Sequence, residues 1–325
     1  MIKKPFAKSN LPLIGLSPMA GYTDSAYRTI CRELGADFVV TELISADGVI
    51  QNYASLGRVS KTLRLMRFSA KERPIFIQLF GADPEKMKLA AQIIAKELKP
   101  DGIDINMGCP AHKVVCSGHG SALMKNPALA AEIVKSVKEG SGLPVSVKTR
   151  LGWSDSSNLN QFVVSLANAG ADMIAIHGRT YEQGFSGKAD YEPIYEAKKL
   201  VSIPVLGNGD IWSAGDALDK IGNLDGLLIG RGAVGNPWIF AEVKEALTTK
   251  QVVNHPINWQ KRFELLKTHV ELKYQQDGKI GIVEMRKILP AYLKGLPNAA
   301  KYRQNINSIN TVEDVKKLIS EILGS

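Results

Sequence analysis

What most constrains the fold is an alternation that persists through most of the chain. From Leu13 to about Ala246, short apolar runs follow longer amphipathic ones eight times over. The strand-length runs are Leu13–Pro18, Phe38–Leu43, Ile75–Phe80, Gly102–Met107, Val145–Thr149, Met173–His177, Val205–Gly207 and Gly226–Ile229. Helix-like stretches fall between them at Asp24–Leu34, Pro84–Glu97, Pro127–Lys138, Leu159–Ala169, Tyr191–Leu200, Ser213–Ile221 and Asn236–Leu247. Several open on an Asp, Asn or Ser that can cap a helix, or on a proline, whose missing N–H is harmless in a first turn. Alternating β and α predicts a parallel sheet, and this many repeats in roughly 235 residues match the α/β (β/α)8 TIM barrel. A doubly wound open sheet is the weaker alternative, because no GxGxxG follows the first strand.

Past Leu247 the pattern changes. TTKQVVNHPIN reads as a linker, after which Trp259–Gln275, Ile282–Leu293 and Thr311–Leu323 carry apolar residues at helical spacing with no strands between them. Two domains are expected: a catalytic barrel over 1–247 and a small helical domain over 248–325. The net charge of +9 is uneven, since residues 248–325 hold 13 Lys+Arg against 7 Asp+Glu and so carry +6 of it. A basic appendage on a near-neutral body suits a polyanionic partner, nucleic acid before an anionic membrane, because no amphipathic insertion helix is evident. A solvated basic helical surface explains the charge alone equally well. No apolar run of about 18 residues exists, and MIKKPFAKSN lacks a signal-peptide core, so a cytoplasmic protein is expected. Three unevenly spaced cysteines, Cys31, Cys109 and Cys116, suit neither a disulfide framework nor a zinc site, and no metal is expected.

In a barrel the C-terminal strand ends share one face, so their polar residues assemble into one site. The fourth strand runs into a Gly/Pro-broken loop bearing Cys109, which gives that thiol a chemical reading. The other ends supply Ser17, Pro18, Met19, Ala20 and Gly21; Thr41 and Glu42; Gln78; Asn106; Lys148 and Arg150; His177 and Arg179; Asn208, Gly209 and Asp210; and Gly230, Arg231 and Gly232. The last two ends, NGD and GRG, are glycine-rich and precede helices, the usual barrel site for a phosphate held by backbone N–H groups and an arginine. With Lys148 and His177, they describe a phosphorylated, redox-capable cofactor. Gln78 and Lys148 suit the polar edge of a flavin, where a cation stabilises the anionic reduced ring.

The ordered motifs SPMAGYTD, TELISADG, IQLFGADP, DINMGCPAHKV, SVKTRLGW, AIHGRT, VLGNGDI and LLIGRGAVGNPWIF resemble those of the tRNA-dihydrouridine synthase family, and within it the bacterial B-type branch. The likeness runs from about Ile14 to Phe240. It implies an FMN-bearing barrel that reduces the C5=C6 bond of particular tRNA uridines with electrons from NADPH. It places Pro18, Met19 and Ala20 beside the FMN ring, Gln78 and Lys148 at its polar edge, and His177, Asn208, Gly209, Asp210, Gly230 and Arg231 around ring, ribityl and phosphate. Cys109 matches the family's catalytic cysteine, which protonates C5 while hydride reaches C6. An unperturbed thiol, with a pKa of about 8.5, is mostly protonated at neutral pH and so suits an acid. Asn106, Arg150 and Arg179 are expected on the substrate side.

Extracting a base from folded tRNA needs a docking surface beyond the pocket. The tail offers Lys261, Arg262, Lys267, Lys273, Arg286, Lys287, Lys294, Lys301 and Arg303, with Arg286 and Lys287 foremost. Tyr274, Tyr292 and Tyr302 could stack on bases, although core packing is the expected role for aromatics at helical spacing. Cys31 reads as a core residue, Cys116 as a loop thiol without a role, His112 and His119 as solvent-facing, and Glu42 as a cap on the barrel mouth. The rival readings are a flavin barrel acting on a free pyrimidine, as in dihydroorotate dehydrogenases, which needs no basic tail, and a non-catalytic RNA-binding protein.

Overall fold

The computed structural model describes residues 11–54, 61–253, 255–256 and 258–324. The N-terminal decapeptide considered for targeting, and Asn254 and Ile257 of the linker, lie outside the described residues. Eight parallel strands close into a barrel: β1 Leu13–Leu16, β2 Phe38–Val40, β3 Ile75–Phe80, β4 Gly102–Met107, β5 Val145–Arg150, β6 Met173–His177, β7 Val205–Asn208 and β8 Gly226–Ile229. Closure is made by β1, which pairs with both β2 and β8, and by the β2–β3 pair. Four of the expected strands match residue for residue, and the others differ at their ends by one to three residues. The connection from β2 to β3 is richer than expected. It holds a two-residue strand, Ile44–Ser45, paired with the end of β3, and the helices Ala46–Ala54 and Lys61–Met66.

Helix starts follow from capping chemistry. The Asp83 carboxylate accepts from the Glu85 and Lys86 N–H groups at the head of Pro84–Glu97, and Asn126 and Ser213 do the same for Pro127–Ser141 and Ala214–Ile221. The apolar outer faces of the strands pack on these helices in one large core. On β4 this places Ile103, Ile105 and Met107 toward the helices and turns Asp104 and Asn106 into the barrel.

Inside, the floor is apolar, with Phe38, Phe76, Met173, Leu206 and Leu228 in a separate cluster. Above it the register aligns Gln78 with Asp104 and Ser146, and Asn106 with Lys148. Every one of these polar side chains therefore points into the barrel near its C-terminal mouth.

The chain continues into helices with their own core, built on Phe263, Leu266, Val270, Ile282, Met285, Leu289 and Tyr292. The first, Trp259–Met285, is broken at Gly278 (φ 58°, ψ −141°). The expected helix Ile282–Leu293 is instead divided after Met285 and resumes as Leu289–Tyr292, because Pro290 lacks an N–H and sits in the first turn of the new helix. Ala299–Gln304 and Val312–Leu323 follow.

Tail and barrel meet at Lys273. Its side chain is 2% exposed, and its ammonium lies 2.9 Å from Asp24 of the barrel and 2.8 Å from both Asp277 and Glu284, which flank the Gly278 break. Among the described residues no helix is long and apolar enough to cross a membrane.

Candidate active site at the barrel mouth

A cavity of about 720 Å³ opens at the C-terminal strand ends. It is lined by Pro18, Met19 and Ala20 after β1, Gln78 of β3, Asn106 and Cys109 from β4 and its loop, Lys148 and Arg150 of β5, His177 of β6, Asn208, Gly209 and Asp210 around the end of β7, Gly230 and Arg231 after β8, and Lys287 of the tail. All but two of the residues assigned to catalysis, cofactor or substrate are thus brought together, while Gly21, Thr41 and Glu42 of the other strand ends do not line this cavity.

The two exceptions are arginines with internal partners. Arg179 donates to the Ser186 and Gly187 carbonyls and makes a bidentate pair with Asp210, at 3.0 and 2.7 Å. It holds the wall from behind. Arg286 donates to the Ile309 carbonyl (2.8 Å) and to Asn310 Oδ1 (2.7 Å), tying together parts of the tail. Arg262, donating to the Lys294 carbonyl, and Lys273 are likewise engaged within the fold, and Tyr292 and Tyr302 are core residues.

Cys109 is fixed through its backbone. Asn106 Oδ1 accepts from the Cys109 N–H at 2.9 Å and the Gly108 N–H at 3.3 Å, so the last polar residue of β4 folds the loop back over its own strand. Asn106 Nδ2 donates to Gln78 Oε1 at 3.0 Å, Gln78 Nε2 to Asp104 Oδ2 at 2.7 Å, and Ser146 Oγ to Asp104 Oδ1. This chain of hydrogen bonds across three strands anchors the cysteine loop to the barrel interior. Asp104 is one of the residues that sequence reasoning missed. Burial lifts its carboxyl to about 6, against the bonds from Ser146 and Gln78 and the charge of Lys148. Downstream, Gly120 takes a left-handed φ of 60°, and a Cβ there would stand 3.0 Å from the Cys109 carbonyl oxygen, so the return of the loop needs glycine.

The wall beside this loop is cationic, with Arg150 Nε donating to the Gly108 carbonyl at 2.8 Å. Lys148 donates to Asn208 Oδ1 at 3.0 Å, and Asn208 in turn donates to the Leu228 carbonyl. Burial, helped by neighbouring Arg150, lowers the Lys148 ammonium to about 8 although Asp104 and Cys109 oppose the shift. Burial likewise lowers Arg150 to about 10, with Cys109 opposing and Arg179 assisting. His177 is pushed far below its ordinary value by burial and by Lys148, Arg150, Arg179 and Arg231, so its imidazole is neutral. Its Nδ1 is buried and has no protein partner. Asp210, in the left-handed region at φ 48°, accepts from Arg179, the Ala189 N–H and, at 3.3 Å, Arg231. Burial works against its charge, but those bonds keep the carboxyl below its usual range. Gly209 (φ 120°) lies against His177, whose Cδ2 would be 3.0 Å from a Cβ, so the turn brings backbone close to the imidazole.

Three aromatics also line the cavity: Tyr22, Phe185 and Trp212. Their signal in the sequence was position alone. Phe185 lies in the glycine-containing loop after AIHGRT, and Trp212 directly follows NGDI. Glu42 faces a second cavity and accepts from the Gly21 N–H, joining the ends of β1 and β2 as a brace at the mouth.

Residues 15–324 match the family model described as Dihydrouridine synthase (Dus). A probable tRNA-dihydrouridine synthase of Aquifex aeolicus is 40% identical over 311 residues, covering 94% of each chain. A tRNA-dihydrouridine synthase B of Pseudomonas aeruginosa is 39% identical over 302 residues, 92% of this chain and 89% of that one. Among solved structures, histamine dehydrogenase from Rhizobium sp. 4-9 superposes with a TM-score of 0.52 at 14% identity, over 83% of this chain and 51% of that one. A 2-naphthoyl-CoA reductase superposes at 0.54 with 10% identity, over 76% and 53%. These two likenesses concern the barrel fold. The match over nearly the whole chain, with the strand-end motifs gathered in one cavity, places the protein in the dihydrouridine synthase family, on the side of its B-type members.

Proposed function

We propose that this protein reduces uridines of tRNA to dihydrouridine in the barrel-mouth cavity, with FMN as the bound cofactor and NADPH as the reductant. The observation that carries the reading is the gathering, in one cavity, of a backbone-fixed cysteine, the cations Lys148, Arg150 and Arg231, and an imidazole whose buried nitrogen has no protein partner. The residues fit FMN: His177 lines the cavity and its buried Nδ1 has no protein partner, and Lys148 and Arg231 supply positive charge. A Cβ on Gly230 would stand 3.4 Å from Met19 Sδ and would fill part of the cradle. When bound, FMN reduced by NADPH supplies hydride.

The chain's own residues do the rest. Lys148, lowered to about 8 by burial, still holds its proton near neutral pH and would balance the charge of an anionic ring edge placed beside it. Arg231 and the glycine turns Gly209 and Gly230 hold the phosphate. Asp210 orients Arg231 and Arg179. Cys109 Sγ donates its proton to C5 of the uracil, and Asn106 and Gln78 keep the thiol's loop in place while the base is held. Asn106 and Arg150 line the substrate side.

Residues 248–325 act as the tRNA-docking domain through Lys261, Lys267, Lys287, Lys294, Lys301 and Arg303. A cytoplasmic location follows from such a substrate. Mapping dihydrouridine in tRNA from cells with and without the gene tests the function: loss of the modification at defined positions is expected, and an unchanged profile would overturn it.

A further inference from the structure

Five side chains alternate between cation and ring from the barrel wall to the tail. The Arg150 guanidinium lies 5.5 Å from the Phe185 centroid, and Arg231 lies 5.0 Å from the same ring. Arg231 is also 5.1 Å from Trp212, whose other neighbour, Lys294 of the tail, lies at 5.4 Å. All five line the one cavity. Burial in the fold does not account for the two rings, since Phe185 is 59% and Trp212 44% exposed. The backbone that carries Trp212 is nevertheless held in place: its main-chain N–H donates to Asp216 Oδ2 at 2.9 Å, and Asp216 is itself bonded to the helix-capping Ser213.

We propose that Trp212 is the stacking platform for an RNA nucleotide adjoining the target uridine, with Lys294 and Arg303 receiving that nucleotide's phosphate. The proposal rests on tRNA being the substrate. Alternating rings and cations are what a single strand requires, because any base presents a π-face and every linkage carries a charge. A uridine drawn into the mouth brings its neighbour to the rim, so a platform one nucleotide away would stabilise the extruded strand. Charge favours a polyanion: Lys148, Arg150, Arg231, Lys287, Lys294 and Arg303 face the cavity with Asp210 as the single acid among its lining residues. The series also ends on the tail, where most of the chain's charge excess lies. That extension favours a macromolecule over the dinucleotide reductant.

The test uses the full-length, flavin-loaded enzyme and unmodified tRNA, with Trp212→Phe and Trp212→Leu compared for KM of tRNA, kcat and KM of NADPH. Loss of one base–ring stack corresponds to roughly a tenfold or larger rise in KM for tRNA. Trp212→Leu, which keeps apolar bulk without a ring face, is expected to show that rise, and Trp212→Phe to stay within about threefold of wild type. Lys294→Ala should lower the salt slope of tRNA affinity by about one, as for a single phosphate contact. An equal loss in Phe and Leu variants, an unchanged KM for tRNA, or a rise confined to the KM for NADPH would each overturn the platform. Absence of dihydrouridine formation by the wild-type enzyme would instead sink the functional reading beneath it.

Discussion

Two cavities meet near Ala20, Leu43 and Lys287, and the one that Cys109 does not line is larger, at about 810 Å³ against 720 Å³. The difference between them is electrostatic. In the larger, between barrel and tail, Asp24, Glu42, Asp277 and Glu284 face the cations. Lys273 is raised above its ordinary value: burial pulls down, but Asp24, Asp277 and Glu284 outweigh it. Arg64 is raised for the same kind of reason, by Glu284 and Asp277 against partial burial. In the smaller, Lys148 and Arg150 are lowered because burial is not repaid by carboxylates. A satisfied ion cluster serves as a joint, whereas a cationic cavity short of negative charge is suited to an anion.

The sharpest break between the two comes from chemistry. Cys109→Ala is expected to reduce dihydrouridine formation by about 10²- to 10⁴-fold, the range for loss of a general acid, while flavin absorbance is retained. Mass spectrometry of the tRNA and the visible spectrum check both halves. If the variant also loses its flavin, the cysteine belongs to the cofactor's wall rather than to the substrate side.

Next come two lysines with opposite signs. Lys273→Met leaves three carboxylates facing one another and should cost about 3 kcal/mol of stability in denaturant unfolding. Lys148→Met removes a desolvated charge and should make the flavin-free protein more stable by about 1 kcal/mol, yet weaken flavin retention in equilibrium dialysis. Destabilisation by both substitutions would erase the contrast.

The pH dependence sharpens the same point. Because the Lys148 ammonium is lowered to about 8, its charge is lost as pH rises through 8, and affinity for the phosphorylated flavin should fall over that range. Stability of the flavin-free protein should move the other way. Above about pH 8 the unfolded lysine still holds the proton that the folded one has released, so this group's contribution rises with pH up to about 10.4. Titration calorimetry and thermal unfolding at pH 7 to 10 would show both trends, and both should vanish in Lys148→Met.

The smallest effect separates two adjacent cations. Lys287, over the Tyr22 ring at 3.8 Å and bonded to the Ala20 carbonyl, sits where the cavities join. Lys287→Ala should lower the salt slope of tRNA binding by about one, whereas Arg286→Ala should leave the slope alone and cost about 1 kcal/mol through its lost bonds to Ile309 and Asn310.

The same contrast explains what could be read in the sequence. Strands bounded by glycine and proline, such as Gly102–Met107, declared their ends, and parallel topology then assembled their polar termini. Arg179 and Arg286 looked equally suitable because composition shows a cation and not its partner; the pairing with Asp210, and the tail's internal bonds, exist only in three dimensions. Asp104 was legible as the polar side of an alternation, but only strand register sets it beside Gln78 and Ser146. Phe185 and Trp212 carried no pattern at all, since an exposed ring in a loop acquires meaning from the cations around it.

The most direct test of the account is anaerobic mixing of the reduced holoenzyme with unmodified tRNA, followed by the flavin absorbance. The account predicts reoxidation by tRNA in the wild-type enzyme, stoichiometric with dihydrouridine formed, and reoxidation slowed at least about a hundredfold in Cys109→Ala. A flavin that stays reduced in the presence of tRNA, or one reoxidised equally fast in both proteins, would contradict it.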